Sequence, residues 1–228
     1  MTGPKKISTE AELARTLEHS VLSPAASRAD IEAGCELARA YGVRAMVVQP
    51  YWLEHAVACL AGSEVLPVSV LAFPHGVSLP SAKAHEAERL AMLGAKEIDM
   101  VMNVSALKCR DYDAVASDIA GVVAASGVAV RVKVILETAF LIDDEIADAC
   151  RIAQDAGAAF VKTSTGFGPG GATCEAVALM RRTVSDFVGV KASGGIRTLD
   201  DALKMLVCGA DRIGTSATKK ILDEMRAR

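Results

Sequence analysis

The chain has 228 residues, of which 51% are hydrophobic and only 4% aromatic, so it can bury one large core built mainly from aliphatic side chains. Its formal net charge of -3 excludes a broad basic surface, and we therefore predict no nucleic-acid partner. No apolar run approaches the roughly 20 residues that cross a bilayer, and none follows the first lysines as in a secretion signal. We predict no membrane association, and we expect a cytoplasmic protein with reduced cysteines.

Eight short apolar segments rich in β-branched residues alternate with longer, Ala-rich amphipathic segments along the chain. This alternation is typical of a parallel sheet whose strands are joined by crossover helices. In chain order, the predicted strands cover residues 15–19, 43–49, 65–73, 97–103, 128–137, 159–164, 187–193 and 211–216. The first of these strands has the weakest pattern.

Glycines mark the ends of several helical segments. Four of them each precede a predicted strand: Gly42, Gly94, Gly157 and Gly209. A left-handed residue at such a position ends a helix at low cost. Eight repeated units without a change in composition favour an α/β fold with a single (β/α)8 TIM barrel over an open doubly wound sheet. We predict one domain over residues 1–228, with residues 1–8 as a flexible N-terminus.

The cysteines and histidines show no spacing typical of metal ligands. The six cysteines are widely separated and contain no CxxC pair, which indicates small buried apolar residues. The four histidines lie on different segments. We therefore predict no metal and no other cofactor.

Ionisable residues interrupt the fourth to seventh predicted strands. They are Asp99, Lys133, Glu137, Lys162 and Lys191. Parallel strands of α/β proteins are buried on both faces, so a charge there is desolvated unless a partner or a ligand compensates it. An internal ion network explains any one of these residues. Their occurrence on four neighbouring strands favours a catalytic site.

Two of these lysines occupy equivalent positions, because Lys162 and Lys191 each stand four residues before a loop glycine. Neighbouring strands are about 4.8 Å apart, so two inward amines near the strand ends can share one pocket. Burial and like charge both favour the neutral amine, which is the nucleophile of Schiff-base enzymes. The spacing leaves open which lysine attacks. Asp99 supplies a carboxylate able to accept and return protons.

Glycine-rich loops follow the last three predicted strands. In barrels of this kind, phosphate is often held by backbone amides of the loops after strands seven and eight. The candidate phosphate-binding residues are Gly166, Ser193, Gly194, Gly195, Gly214 and Ser216. A tight turn explains each glycine taken alone, but their combination at the expected strand ends predicts a sugar-phosphate ligand.

Sequence motifs along nearly the whole chain point to one family. They are LEHSVLSP at 17–24, VVQPYW at 47–52, FPHG at 73–76, EIDMVMN at 97–103, VKVILET at 132–138, VKTSTGF at 161–167, VKASGGIRT at 190–198 and RIGTSA at 212–217. Through these motifs the chain resembles the deoxyribose-phosphate aldolases. The two lysine motifs, VKTSTGF and VKASGGIRT, are the most specific.

The resemblance implies a class I aldolase that reversibly cleaves 2-deoxy-D-ribose 5-phosphate into D-glyceraldehyde 3-phosphate and acetaldehyde. It implies that Lys162 forms the Schiff base, with Asp99 and Lys191 as the pair that relays protons and tunes the pKa. The residues expected to support them are Glu18, Lys133, Glu137 and Thr165. The implied partners are the small sugar phosphate, acetaldehyde and a second copy of the chain in a homodimer.

Three positions depart from the family pattern. Glu18 stands where aspartate is usual, and its extra methylene is expected to displace a contact to a substrate hydroxyl. Val47 replaces a frequent cysteine, so behaviour that depends on that thiol should be absent. Ala217 replaces a frequent second serine, which removes one hydroxyl donor and predicts modest phosphate affinity.

Two other functions are compatible with the same residues. A phosphate-binding isomerase or epimerase barrel would use Asp99 and the lysines as acid, base and electrostatic stabiliser, without a covalent adduct. A non-catalytic barrel that binds sugar phosphates would use these charges only to stabilise its core.

Overall fold

Eight parallel strands close into a barrel in the computed structural model of the protein, which describes residues 7–228. The strands are β1 (Leu17–Val21), β2 (Ala45–Val48), β3 (Leu66–Leu71), β4 (Glu97–Val101), β5 (Arg131–Ile135), β6 (Phe160–Lys162), β7 (Gly189–Ser193) and β8 (Arg212–Thr215). Each strand pairs with the next, and β8 pairs with β1, so the (β/α)8 TIM barrel is confirmed. Most of the predicted flexible N-terminus, residues 1–6, lies outside the described residues, and the single domain over 1–228 stays a prediction.

Helices surround the barrel. They are α1 (Glu10–Ala14), α2 (Arg28–Ala40), α3 (Leu53–Cys59), α4 (Pro80–Met92), α5 (Val104–Lys108), α6 (Tyr112–Ser126), α7 (Asp143–Asp155), α8 (Cys174–Thr183), α9 (Leu199–Val207) and α10 (Thr218–Arg226). The predicted glycine stops are confirmed by left-handed φ angles of 60° at Gly42, 100° at Gly94, 89° at Gly157 and 110° at Gly209. Within residues 7–228, no helix is long and apolar enough to span a bilayer.

The inside of the barrel has an apolar half and a charged half. Alternate residues of a strand point to opposite faces, and the main apolar core lies between the outer face and the helices. On β2 and β3, the inner residues Ala45, Val47, Val68 and Val70 form a separate small apolar cluster. Strands β1 and β4 to β7 instead bury charged side chains. The charged half holds the residues that the sequence singles out.

The cysteines correct the expectation of reduced, buried thiols. Cys174, at the start of α8, and Cys208, just after α9, form a disulfide with their Cα atoms 5.4 Å apart. The other four are free, with Cys35 and Cys150 buried, Cys59 half-buried and Cys109 exposed. The disulfide joins two helix ends that are 34 residues apart in sequence. Only the tertiary packing of those ends reveals the pairing, because the spacing itself carries no signal.

Candidate active site

The register of the barrel brings the predicted charged residues together. Asp99 lies beside Lys133 on the next strand, and Lys162 lies beside Lys191. All four side chains point inward and are at most 3% exposed. The expected approach of the two lysines is confirmed, since both ammonium groups contact the same oxygen of Asp99.

Asp99 is the centre of an ion network. Its Oδ2 accepts hydrogen bonds from Lys162 Nζ and Lys191 Nζ, both at 2.7 Å, and its Oδ1 accepts one from Lys133 Nζ at 2.8 Å. Burial alone would raise the pKa of Asp99, but the three ammonium groups, Lys133 foremost, hold it well below its usual range. Asp99 is therefore an ionised hydrogen-bond acceptor that contacts both lysines of the pocket.

A second layer of charges lies beneath Asp99. Lys133 Nζ is 2.6 Å from Glu97 Oε2 and 3.4 Å from Glu18 Oε2, and Glu18 also accepts a hydrogen bond from Lys191. Burial opposes the charge of Lys133, but Asp99, Glu18 and Glu97 outweigh it and raise the pKa of this lysine. Lys133 is therefore a permanent cation that neutralises the carboxylates around it.

Lys162 differs from Lys133 because it has fewer carboxylates around it. Burial lowers its pKa to about 8, Asp99 partly opposes this fall, and the nearby charge of Lys191 adds to it. Lys162 and Lys191 both line a cavity of about 820 Å³ that opens at the C-terminal ends of the strands. Barrels of this type bind their substrates at this end of the strands. An amine with a depressed pKa thus faces a space large enough for a small sugar phosphate.

The glycine-rich loops form a further wall of the same cavity, here called the glycine wall. All six predicted phosphate-binding residues line it, namely Gly166, Ser193, Gly194, Gly195, Gly214 and Ser216. Gly194 needs to be glycine, because its φ is 89° and a Cβ there would lie 2.9 Å from Gly171 Cα. The two loop backbones approach each other this closely only without a side chain, and glycine-rich backbone of this kind is typical of anion sites.

The hydroxyl of Ser193, one of the predicted phosphate ligands, already donates a hydrogen bond within the protein. Ser193 Oγ donates a hydrogen bond to the backbone oxygen of Ser164 at 2.5 Å, and Ser193 N donates one to Thr163 Oγ1. The Ser193 side chain therefore holds the β6 and β7 loops together. Ser216 makes no comparable bond in the part of the chain described here, which leaves its hydroxyl for a ligand.

Glu137 stands apart from the ion network. The sequence placed it on the fifth strand, but β5 ends at Ile135, and Glu137 follows in a left-handed conformation with φ of 54°. Its carboxylate accepts hydrogen bonds from the backbone N of Thr165, at 3.1 Å, and from the Thr165 hydroxyl. Thr165 lines the cavity, whereas Glu137 does not. Glu137 thus supports the loop that follows Lys162.

Some site residues were missed from the sequence. Glu97 is fully buried and pairs with Lys133, and its spacing of two from Asp99 on one strand was the overlooked signal. Arg197 and Phe167 line the cavity beside the glycine loops. Val47, one of the departures from the family pattern, lines it on the apolar side. Within residues 7–228, no group of three or more His, Cys, Asp or Glu side chains is arranged to hold a metal ion.

Sequence comparison now decides the family. The sequence model of the DeoC/LacD family aldolases matches residues 13–224. The chain belongs to this aldolase family. The deoxyribose-phosphate aldolase of Methanothermobacter thermautotrophicus is 50% identical over 221 residues, which cover 96% of this chain and 98% of the relative. The enzyme of the same name from Caldanaerobacter subterraneus is 46% identical over 224 residues, 97% of each chain.

Solved structures agree with this assignment. The tetrameric deoxyribose phosphate aldolase from Aeropyrum pernix superposes with a TM-score of 0.89 at 32% identity, over 96% of this chain and 93% of that one. A further aldolase structure gives a TM-score of 0.90 at 37% identity, over 95% of this chain and 96% of that one. This member of the DeoC/LacD family is therefore an aldolase, that is, a carbon–carbon lyase.

Proposed function

We propose that this DeoC/LacD aldolase reversibly cleaves 2-deoxy-D-ribose 5-phosphate into D-glyceraldehyde 3-phosphate and acetaldehyde through a Schiff base on Lys162. The observation that carries the proposal is one cavity lined by an amine of depressed pKa and by glycine-rich loops. The amine is suited to attack a carbonyl carbon, and the loops are suited to bind a phosphate. The full-length relatives named for this activity support the choice of substrate.

The contacts of the two cavity lysines favour Lys162 as the nucleophile. Lys191 forms ion pairs with two carboxylates, Asp99 and Glu18. Among the ion pairs of residues 7–228, Lys162 has only the one to Asp99. A cationic Lys191 beside Lys162 then favours the neutral amine at the position where the bond to carbon forms.

In the cleavage direction, the Lys162 amine adds to the aldehyde carbon C1 of the open-chain sugar, and the carbinolamine loses water to give an iminium. A base removes the proton of the C3 hydroxyl, the C2–C3 bond breaks, and its electron pair moves into the iminium to give an enamine. Glyceraldehyde 3-phosphate leaves. The enamine takes a proton on carbon, and water hydrolyses the resulting iminium to release acetaldehyde and the free lysine.

Asp99 and its neighbours serve the proton transfers in this scheme. Asp99 lies within hydrogen-bonding distance of both lysines, so it can pass protons as the carbinolamine forms and dehydrates. Lys133 and Glu18 act as positioning residues that hold Asp99 and Lys191 in place. Glu137 and Thr165 support the loop of Gly166, and the phosphate rests on the glycine wall with Ser216.

The activity should depend on pH through Lys162. Only the neutral amine reacts, so we expect kcat/KM to fall about tenfold per pH unit below the Lys162 pKa of about 8. Above that pH, the rate should level off until another group titrates. Steady-state kinetics at constant ionic strength, over a range of roughly two pH units on either side of this pKa, measure the inflection.

A Lys191→Met variant provides the control for this assignment. Removing the neighbouring cation takes away one cause of the depressed Lys162 pKa, so the inflection of the residual activity should move to higher pH. An inflection that stays in place in this variant would contradict the role given to Lys191.

Several expectations from the sequence remain predictions. The cytoplasmic location, the homodimer and the absence of a nucleic-acid partner are untested, and the tetramer belongs to the Aeropyrum pernix enzyme. Membership of an aldolase family argues against the isomerase and the non-catalytic barrel.

The reaction itself can be tested directly. The purified chain, incubated with 2-deoxy-D-ribose 5-phosphate, should release acetaldehyde and glyceraldehyde 3-phosphate in equal amounts. Acetaldehyde is measured by its reduction, and glyceraldehyde 3-phosphate by its oxidation, each with a coupled dehydrogenase. Unphosphorylated deoxyribose serves as the matched control and should react more slowly, because it lacks the group that the glycine wall binds. Release of neither product would reject the proposed reaction.

A further inference from the structure

The end of the barrel opposite the active site carries a group of arginines, here called the arginine mouth and defined as Arg44, Arg131 and Arg212. Arg131 and Arg212 are the first residues of β5 and β8, and Arg44 immediately precedes β2. The guanidinium carbons of Arg131 and Arg212 lie 6.0 and 5.6 Å from the ring centre of Phe160, the first residue of β6. Two guanidinium groups therefore lie against one aromatic ring, and the charge of Arg44 acts on Arg212 from nearby.

Two of these arginines have no ion-pair partner within residues 7–228. Arg131 pairs with Glu97. Within residues 7–228, the side chains of Arg44 and Arg212 make no hydrogen bond and no ion pair, and Arg44 Nε and Arg212 Nη1 are buried without a partner. Burial lowers the pKa of Arg212, and the charges of Arg44 and Arg131 lower it further, against the opposing pull of Glu18 and Glu97. The charges of the arginine mouth thus repel one another.

The acidic residues nearby pair with other groups or form no ion pair with Arg44 or Arg212 within residues 7–228. Glu97 already forms ion pairs with both Arg131 and Lys133. Asp211 accepts a hydrogen bond from the backbone N of Val190 and pairs with Arg181 at 3.2 Å. Asp186 is exposed at the edge, and no carboxylate of residues 7–228 forms an ion pair with Arg44 or Arg212. A partly buried cation without a partner destabilises a fold, so an external anion is the natural counter-charge.

A cavity is available for such an anion. It has a volume of about 330 Å³ and is lined by Arg131, Phe160, Asp186, Phe187, Asp211 and Arg212, among others. We propose that the arginine mouth binds a small phosphate-type oxyanion, held chiefly by the guanidinium groups of Arg131 and Arg212. The planar fork of arginine matches the oxygens of such an anion, and a charge-assisted hydrogen bond to Arg212 would supply the partner that its buried Nη1 lacks. This site is separate from the glycine wall, which lies at the other end of the strands.

Thermal unfolding of the full chain tests the proposal, with inorganic phosphate as the probe and chloride used to match ionic strength. A ligand that binds only the folded state raises the unfolding midpoint in a saturable way. We expect phosphate to raise the midpoint by about 2–4 °C more in the native chain than in an Arg212→Gln variant. Any effect of phosphate at the active site remains in both proteins and cancels in this difference.

The variant should also behave differently without phosphate. In chloride, Arg212→Gln should be at least as stable as the native chain, because a partly buried cation with an unpartnered Nη1 has been removed. Arg28→Gln is the matched control, since Arg28 is exposed at the start of α2, away from the arginine mouth, and should respond to phosphate as the native chain does. An Arg212→Lys variant keeps the charge but loses the fork, and should show an intermediate response.

Equilibrium dialysis with labelled inorganic phosphate counts the bound anions. The native chain should bind one phosphate more per chain than Arg212→Gln does. Equal binding and equal stabilisation in the native chain and in Arg212→Gln would overturn the proposal. If Arg212→Gln does not fold, the comparison of the native chain with Arg212→Lys decides in the same way, because identical phosphate responses would again reject the site.

Discussion

Replacing Lys162 with leucine is expected to abolish aldolase turnover, by a factor of about 10⁴ or more, while the protein still folds. The reason is that Lys162 is the cavity amine with the depressed pKa, whereas Lys191 forms ion pairs with two carboxylates. Stability should be retained, because Asp99 keeps Lys133 and Lys191 as partners and one buried amine is lost. Turnover of deoxyribose 5-phosphate and thermal unfolding measure the two effects.

Lys162→Arg is the matched control for this variant. Arginine retains a positive charge near Asp99 but cannot form a Schiff base at neutral pH. If Lys162 acts only as an electrostatic stabiliser, the arginine variant should keep part of the activity that the leucine variant loses. We expect both variants to be inactive, and substantial turnover by Lys162→Arg would contradict a covalent role.

Replacing Asp99 with leucine should have the largest effect on stability. Asp99 contacts three buried ammonium groups. Within residues 7–228, its loss leaves Lys133 paired with Glu18 and Glu97, Lys191 paired with Glu18, and Lys162 without an ion pair. Removing one partner of a buried ionic group typically destabilises a protein by about 3–5 kcal/mol. Chemical denaturation at neutral pH should show a loss of this size, together with a loss of turnover.

Asparagine at position 99 separates charge from shape. Asp99→Asn keeps the volume, should fold more readily than Asp99→Leu, and should lower kcat by about 10²–10⁴ because the proton acceptor is gone.

The native pKa of Asp99 lies well below its unfolded value of about 3.9, so its stabilising contribution is present above that pH and is lost as the pH falls through the native pKa. The stability difference between the native chain and Asp99→Asn should therefore shrink in strong acid. A difference that stays constant down to strong acid would argue against the ion network.

The strands were predictable from sequence, but their ends were not. Each strand is a short apolar run between turns, which is why all eight were identified. The fifth was predicted over residues 128–137 and observed at Arg131–Ile135. Val128 belongs to an exposed turn after Gly127, and Glu137 turns into a left-handed conformation. Where a strand ends depends on the pairing of its neighbours, which the apolar pattern does not record.

The charged residues of the site were predictable because burial makes them costly. Asp99, Lys133, Lys162 and Lys191 interrupt apolar strands, and the structure brings all four into contact. Features that depend on contacts between distant elements were missed. The disulfide of Cys174 and the arginine mouth belong to this class, because each brings together residues that lie far apart in sequence.

The central claim is that Lys162 becomes covalently bonded to the substrate, and reductive trapping tests it most directly. The protein is incubated with acetaldehyde and borohydride, its intact mass is measured, and the modified peptide is mapped. We predict the mass increase of one ethyl group, located on Lys162 and absent from the Lys162→Leu variant. An unmodified chain, or a label on Lys191 instead of Lys162, would contradict this account.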